Sequence, residues 1–264
     1  MKKYFVIGNP IDHSLSPKLH NHWFKKNKID AVYDKKKIDE NDLKIIISEL
    51  KEKKINGINV TVPFKKTVIP YLDKLSLEAE QTQSVNTIIL NNDSLVGHNT
   101  DIAGFEKAIN NLNFNIKGKK VFILGAGGVV PSIIFALNKM DVSKIIVSNR
   151  TKTKAEDLKL QFHNLDLLEW GDMVDFDVII NATSLGLNKE SIKLDFSKYA
   201  NDKLFFDVIY NPGETNFLKE GKKFGHKTEN GKLMFIYQAY EAFKLWHGIE
   251  PQINSETLKI LNND

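Results

Sequence analysis

"VFILGAGGVV", residues 121–130, decides the fold. Four apolar residues, Val121 to Leu124, run unbroken into Gly125, Ala126, Gly127 and Gly128, and Val129 leads on through "VPSIIFALNKM" in a helical pattern. An unbroken apolar run suits a parallel strand buried on both faces. Glycines between strand and helix let the backbone turn tightly and approach a ligand closely. The helix opening there offers unpaired N–H groups and the positive end of its dipole, a seat for a pyrophosphate. A purely structural tight turn has the same sequence signature, so the next strand has to decide.

That strand, "KIIVSNRTKTKAE", ends at Asn149, Arg150, Thr151 and Lys154 with no acidic residue at its tip. An acidic residue there would bind the ribose 2′-hydroxyl of NAD. An arginine accommodates a 2′-phosphate and stacks its planar guanidinium on adenine, so the pair of signals favours NADP.

Farther along, "DVIINATS" and "KLFFDVIYN" read as further strands ending in polar residues, "LMFIYQAYEAFKLWHG" as a long helix stopped by Gly248, and "SETLKILNN" as a last helix. Upstream, "KYFVIG" and "AVYDKKK" read as strands. Between them Pro17 opens a helix with Ser16 as its N-cap. "NDLKIIISELKEKK" is an amphipathic helix with Asn41 or Asp42 near its cap. "GINVTVPFKK", residues 57–66, alternates Ile58, Val60, Val62 and Phe64 with Asn59, Thr61, Pro63 and Lys65, the mark of a two-faced strand ending in a lysine. A helical stretch to about Gln83 follows, then "VNTIIL" and "LVGHN" pairing about the turn "NNDS", and the helix "IAGFEKAINNL".

Strand–helix alternation on this scale predicts α/β architecture in two domains: an N-terminal open α/β sheet and a Rossmann-type domain. The expected division is residues 1–101 plus 236–264 for the first and 102–235 for the second, with the C-terminal helices returning to the first. The 264 residues hold 42% hydrophobic and 27% charged side chains, ample for such cores. No cysteine is present, which excludes disulfides and thiolate metal sites and fits a reducing compartment. The net charge of +4 comes from scattered lysines without a basic–aromatic pattern, so nucleic acid is not an expected partner. The opening "MKKYFVIGNP" is too short for a signal-peptide core, and no stretch spans a bilayer; a cytoplasmic protein is expected.

Several polar residues are not required by this folding pattern: Ser14, Ser16, Asn59, Thr61, Lys65, Asn86, Asp101, Tyr210 and Gln238. Singly, each has a bland role as cap, turn or surface residue. Together with "SLSP", "NVTVPFK", "SVNT", "GHNTD", "GAGG", "NRT", "NATSLG" and "DVIYNP", in that order, they make the chain resemble the shikimate dehydrogenase family nearly end to end.

The resemblance implies reversible reduction of 3-dehydroshikimate to shikimate with NADPH and no metal. It implies that Ser14 and Ser16, helped by Tyr210, hold the substrate carboxylate. Asn59, Thr61, Asn86 and Gln238 would hold ring hydroxyls or order the pocket. Lys65 and Asp101 would be the acid–base unit, without a choice of which moves the proton first. Gly125 to Val129 would take the pyrophosphate, and Asn149 to Lys154 the adenosine phosphate. Thr183 and Ser184 would lie near the cofactor, with Val208, Gly231 and Met234 bordering the nicotinamide.

The pattern departs from the family at Val129, Val130 and Pro131 and in "QTQSVNT", and an expected acidic residue is left unassigned at Glu78. A quinate- or dual-specific relative using NAD, and a catalytically silent NADP-binding module, stay open as alternatives. The oligomeric state, monomer or homodimer, is not legible.

Overall fold

A computed structural model of the chain describes residues 1–188, 190–199 and 202–261. It divides into two compact units, Met1–Gly104 with Ile236–Asp264, and Phe105–Phe235.

The first unit runs β1 (Lys2–Gly8), α1 (Ser16–Lys26), β2 (Ala31–Lys37), α2 (Leu43–Lys51), β3 (Gly57–Val60), α3 (Phe64–Thr67), β4 (Lys74–Leu75), α4 (Leu77–Thr82), β5 (Thr87–Asn91) and β6 (Ser94–His98). Helix α5 (Asp101–Asn110) leads into the second unit. That unit holds β7 (Lys120–Leu124), α6 (Val130–Lys139), β8 (Lys144–Ser148), α7 (Lys152–Gln161), β9 (Leu165–Leu168), β10 (Val178–Asn181), β11 (Leu204–Asp207), α8 (Asn216–Lys223) and β12 (Lys227–Glu229). The chain returns to the first unit within α9 (Lys232–His247) and ends in α10 (Ser255–Ile260).

The first sheet is mixed, in the order β2-β1-β3-β5-β6-β4. β1 lies parallel to β2 and β3, while β5 is antiparallel to β3 and β6. The β5–β6 hairpin turns on Asn92 and Asp93, both at positive φ (46° and 62°), a conformation these two residue types tolerate well. Leu43, Ile46 and Leu50 of α2 pack with Ile7, Ile58 and Ile88 in the core. The C-terminal helices close on this unit. The Trp246 indole N–H donates to the Ile88 carbonyl (3.1 Å), and that of Trp23 to the Gln252 carbonyl (3.1 Å).

Two expectations are corrected here. The segment 57–66 is not one strand, because β3 stops at Val60. Pro63 has no N–H to offer a ladder, and the Phe64 N–H donates back to the Thr61 carbonyl (2.9 Å), closing a turn into α3. Lys65 therefore stands on a helical turn, and β3 is buried on both faces, Asn59 included. The helical stretch to Gln83 is likewise interrupted. Asp73 accepts from the Leu95 N–H through its carboxylate (2.8 Å) and donates its own N–H to the Leu95 carbonyl (3.0 Å), which pins β4 beside β6. A smaller shift concerns α1, whose first residue is Ser16; the Ser16 N–H donates to the Ser14 hydroxyl oxygen (3.3 Å).

The second sheet is wholly parallel, in the order β12-β11-β10-β7-β8-β9. Counted from β7 as the first strand, this is 3-2-1-4-5-6, the doubly wound dinucleotide-binding order, which reverses between β7 and β10. Its edge strands β9 and β12 were not foreseen, since "LDLL" and "KTE" are short and weakly patterned. Among the described residues no helix is long and apolar enough to cross a membrane.

Candidate active site and dinucleotide site

In the first unit the fold brings two residues 36 positions apart together. The Lys65 ammonium donates to Asp101 Oδ2 at 2.5 Å, and both side chains are nearly buried, 12% and 9% exposed. α3 presents Lys65 and its carbonyl accepts from the Val85 N–H (2.8 Å), next to Asn86. Asp101 opens α5, its N–H donating to Asn99 Oδ1 (3.1 Å), so the first carboxylate of that helix is fixed at its N-terminus.

Asp101 Oδ1 accepts from Asn86 Nδ2 (2.9 Å). The orientation of the Asn86 amide is held by donors around its Oδ1: the Thr100 N–H, a donor only, at 2.8 Å, and the hydroxyls of Thr87 and Thr100, each at 3.1 Å. Asn59 is fixed likewise, its Nδ2 donating to the Asn86 carbonyl (3.1 Å) and to Thr87 Oγ1 (2.9 Å), while its Oδ1 accepts from the Tyr33 hydroxyl (2.6 Å). Every amide proton of Asn59 and Asn86 thus has a protein acceptor, Thr100 Oγ1 taking the second from Asn86 (2.9 Å). These two asparagines order the site rather than offer spare donors to it.

Ser14 is half-buried, and its oxygen accepts from the Ser16 N–H, which leaves its own proton to donate elsewhere. Ser16 is buried and hydrogen-bonded to Tyr33, whose acidity burial suppresses far beyond the usual phenol range. Thr61 follows β3, its N–H donating to the Ile7 carbonyl (2.9 Å). Gln238 lies on α9 in the first unit. Tyr210 belongs to the second unit, stacked on Phe235 with centroids 4.6 Å apart.

In the second unit the glycine turn lies at the reversal of strand order. Gly125 has φ +113°, and a Cβ there would sit 2.8 Å from the Ala182 carbonyl oxygen, so two loops meet at a distance only glycine permits. Ala126, Gly127, Gly128 and Val129 continue the turn with partial or full exposure. α6 starts without a side-chain cap; its Val130 N–H turns back onto the Gly127 carbonyl (3.0 Å), Pro131 has no N–H, and the positive end of the helix dipole faces the glycine turn. Thr183 is held by Asn181, whose Oδ1 accepts from both its N–H (3.1 Å) and its hydroxyl (2.7 Å); Ser184 beside it is exposed.

Arg150 is exposed after β8, and among the described residues no carboxylate pairs with it. Asn149 Nδ2 donates to the Thr151 carbonyl (2.7 Å), shaping the loop, and Thr151 starts α7 without capping it, with Lys154 in its exposed first turn. Val208 and Gly231 are in van der Waals contact: a Cβ on Gly231 would fall 2.1 Å from the Val208 carbonyl oxygen. Met234 is buried three residues on. A dinucleotide fits this donor set: a cradle that a side chain would fill, an uncapped helix N-terminus and a free guanidinium.

Two further features bear on this unit, the second of them, Asp207, outside the sequence expectation. Arg150 is the only arginine among 37 cationic side chains, so every other cation in the chain is a lysine. A guanidinium offers planar, bidentate hydrogen bonding, which the lysine ammonium does not. Asp207, at the end of "LFFD", accepts from Thr215 Oγ1 (2.6 Å), the Ile209 N–H (3.0 Å) and Asn181 Nδ2 (3.1 Å). Burial pushes its carboxyl up to about 6. Among the described residues no cluster of side chains suited to a metal ion occurs.

Comparison with known proteins agrees along the whole chain. Family models match for a shikimate dehydrogenase substrate binding domain over residues 6–88, shikimate/quinate 5-dehydrogenase over 106–212 and a shikimate 5'-dehydrogenase C-terminal domain over 233–254. A shikimate dehydrogenase (NADP(+)) of Pelagibacter ubique is 54% identical over 264 residues, 99% of this chain and 100% of that one. A crystal structure of shikimate dehydrogenase in complex with NADP+ superposes with a TM-score of 0.92 at 36% identity, covering 99% of this chain and 95% of the other. The Thermus thermophilus shikimate 5-dehydrogenase in complex with NADP(H) and shikimate gives 0.90 at 29% identity, with 99% of each chain covered.

Proposed function

This chain belongs to the shikimate dehydrogenase family, and from that premise we propose that it interconverts shikimate and 3-dehydroshikimate with NADP, Lys65 and Asp101 forming the acid–base unit. The observation that carries this reading is the buried 2.5 Å contact between the two, with Asp101 held from its other oxygen by Asn86.

Reducing a ketone leaves an alkoxide, which has to be stabilised and protonated. An ammonium has three protons; one goes to Asp101, and the others serve the reacting oxygen. In the oxidation direction the Lys65–Asp101 pair takes up the hydroxyl proton. NADP, when bound, supplies or accepts the hydride. The Gly125–Val129 turn and the start of α6 hold its pyrophosphate, and Asn149, Arg150, Thr151 and Lys154 its 2′-phosphate. Thr183, Ser184, Val208, Gly231 and Met234 border the rest. Ser14 and Ser16, with Tyr210, take the substrate carboxylate, while Thr61 and Gln238 take ring hydroxyls. The enzyme works in the cytoplasm, as a monomer or homodimer.

Reduction of NADP by shikimate tests the reading. The parent chain turns over; Lys65→Ala binds NADP normally but is slower by about 10³. Undiminished turnover in Lys65→Ala contradicts the assigned role.

A further inference from the structure

The carboxylate of Asp101 is useful only if it keeps one orientation, and that orientation comes from a chain of buried hydrogen bonds whose direction can be read. Asn59 donates to Thr87 Oγ1 (2.9 Å), so Thr87 is an acceptor there and its single proton is left to donate. It donates to Asn86 Oδ1 (3.1 Å), with Thr100 Oγ1 3.3 Å away. Asn86 Oδ1 also takes the Thr100 N–H (2.8 Å) and lies 3.1 Å from the Thr100 hydroxyl, so it is held by donors from both Thr87 and Thr100 while its Nδ2 is aimed at Asp101 (2.9 Å). Thr87 is wholly buried, Asn59 6% and Asn86 3% exposed, so water cannot substitute for a missing link.

The chain extends the other way. Tyr33, 1% exposed, gives its one proton to Asn59 Oδ1 (2.6 Å). The hydrogen bond between Ser16 and Tyr33 therefore runs from the serine hydroxyl to the phenol oxygen. Ser16, Tyr33, Asn59, Thr87, Asn86, Asp101 and Lys65 form one continuous, oriented line.

We infer that Thr87 is a positioning residue for the reaction: its hydroxyl, poised by Tyr33 through Asn59, locks the Asn86 amide and so aims the Asp101 carboxylate at Lys65. The side-chain hydrogen bonds of Thr87 go to Asn59, Asn86 and Thr100, so it acts on Asp101 through Asn86. The inference rests on the acid–base reading above, and the two fail separately. Undiminished turnover in Lys65→Ala sinks that reading. A slow Lys65→Ala beside unaffected Thr87 variants sinks the relay alone.

Valine keeps the shape of threonine and removes the hydroxyl. Thr87→Val is expected to lower kcat by roughly 10- to 100-fold with the NADP dissociation constant unchanged, and to displace the pH profile of kcat. Thr87→Ser, which restores the hydroxyl, is expected to return kcat to within about 3-fold of the parent. A folded Thr87→Val with parental kcat and pH profile, or a serine variant as slow as the valine one, overturns the inference. If Thr87→Val does not fold, Tyr33→Phe decides: it removes only the distant hydroxyl. A fall in kcat with an unchanged thermal midpoint supports the relay, and a parental kcat refutes it.

Discussion

The two units solve opposite problems with opposite materials. The first holds the residues of its proposed acid–base site in a buried web of side-chain hydrogen bonds: Lys65, Asp101, Asn86, Thr87 and Asn59 each touch the next. The second leaves the groups proposed for its cofactor open, a glycine turn, an uncapped helix start and an exposed arginine with no carboxylate partner among the described residues. A proton has to be delivered to one atom, so the groups that move it are fixed beforehand. A long anionic cofactor brings its own charge and hydrogen-bond acceptors, so its site needs unpaired donors and room for close backbone approach.

Substitutions should therefore act differently in the two halves. The largest effect is expected in the first. Lys65→Ala should cost about 10³ in kcat and leave cofactor affinity intact, read by steady-state kinetics and NADP titration. Next, Arg150→Gln should weaken kcat/KM with NADP by about 10² while that with NAD changes little, since only the 2′-phosphate loses its bidentate partner. An equal loss with both cofactors would mean that Arg150 serves the adenine ring or the fold.

Smaller effects come from two buried titratable groups of opposite sign. His20, fully buried in the first unit, stacks on Tyr33 at 4.3 Å, and neither ring nitrogen has a hydrogen-bond partner. Burial lowers it to about 3. A depressed folded-state value means its stabilising contribution is complete above the unfolded value of about 6.5 and drains away as pH falls toward 3, a loss of about 2 kcal/mol by about pH 5. His20→Phe should remove that part of the acid sensitivity in denaturant titrations across pH. Asp207 in the second unit runs the other way. Its value is raised to about 6, so its contribution is complete at low pH and is lost as pH rises through 6, about 2 kcal/mol by about pH 5.5. Asp207→Asn should flatten that limb, and identical pH dependence in parent and variant would break the contrast.

Legibility in the sequence follows the same divide. The second unit was readable from local chemistry, because "VFIL", "KIIV" and "DVII" are buried parallel strands and the glycines and Arg150 stand at their tips. Its short edge strands were missed, since a strand paired on one side needs no strong apolar pattern. The first unit misled at 57–66. The alternation there looked like a strand, but one proline ended it and turned Lys65 onto a helix. What joins Lys65 to Asp101 is tertiary, across 36 positions of sequence, and no periodicity predicts it. Family resemblance named both residues, but the resemblance did not reveal Tyr33 or Thr87, which look in sequence like ordinary strand residues.

The most direct test of the central claim is a double-mutant cycle on kcat for NADP reduction by shikimate, using Lys65→Ala, Asp101→Ala and the combined variant. A pair acting as one unit predicts that either single substitution costs nearly as much as both together. If the two losses simply multiply, the residues act independently and the account of the first unit is wrong.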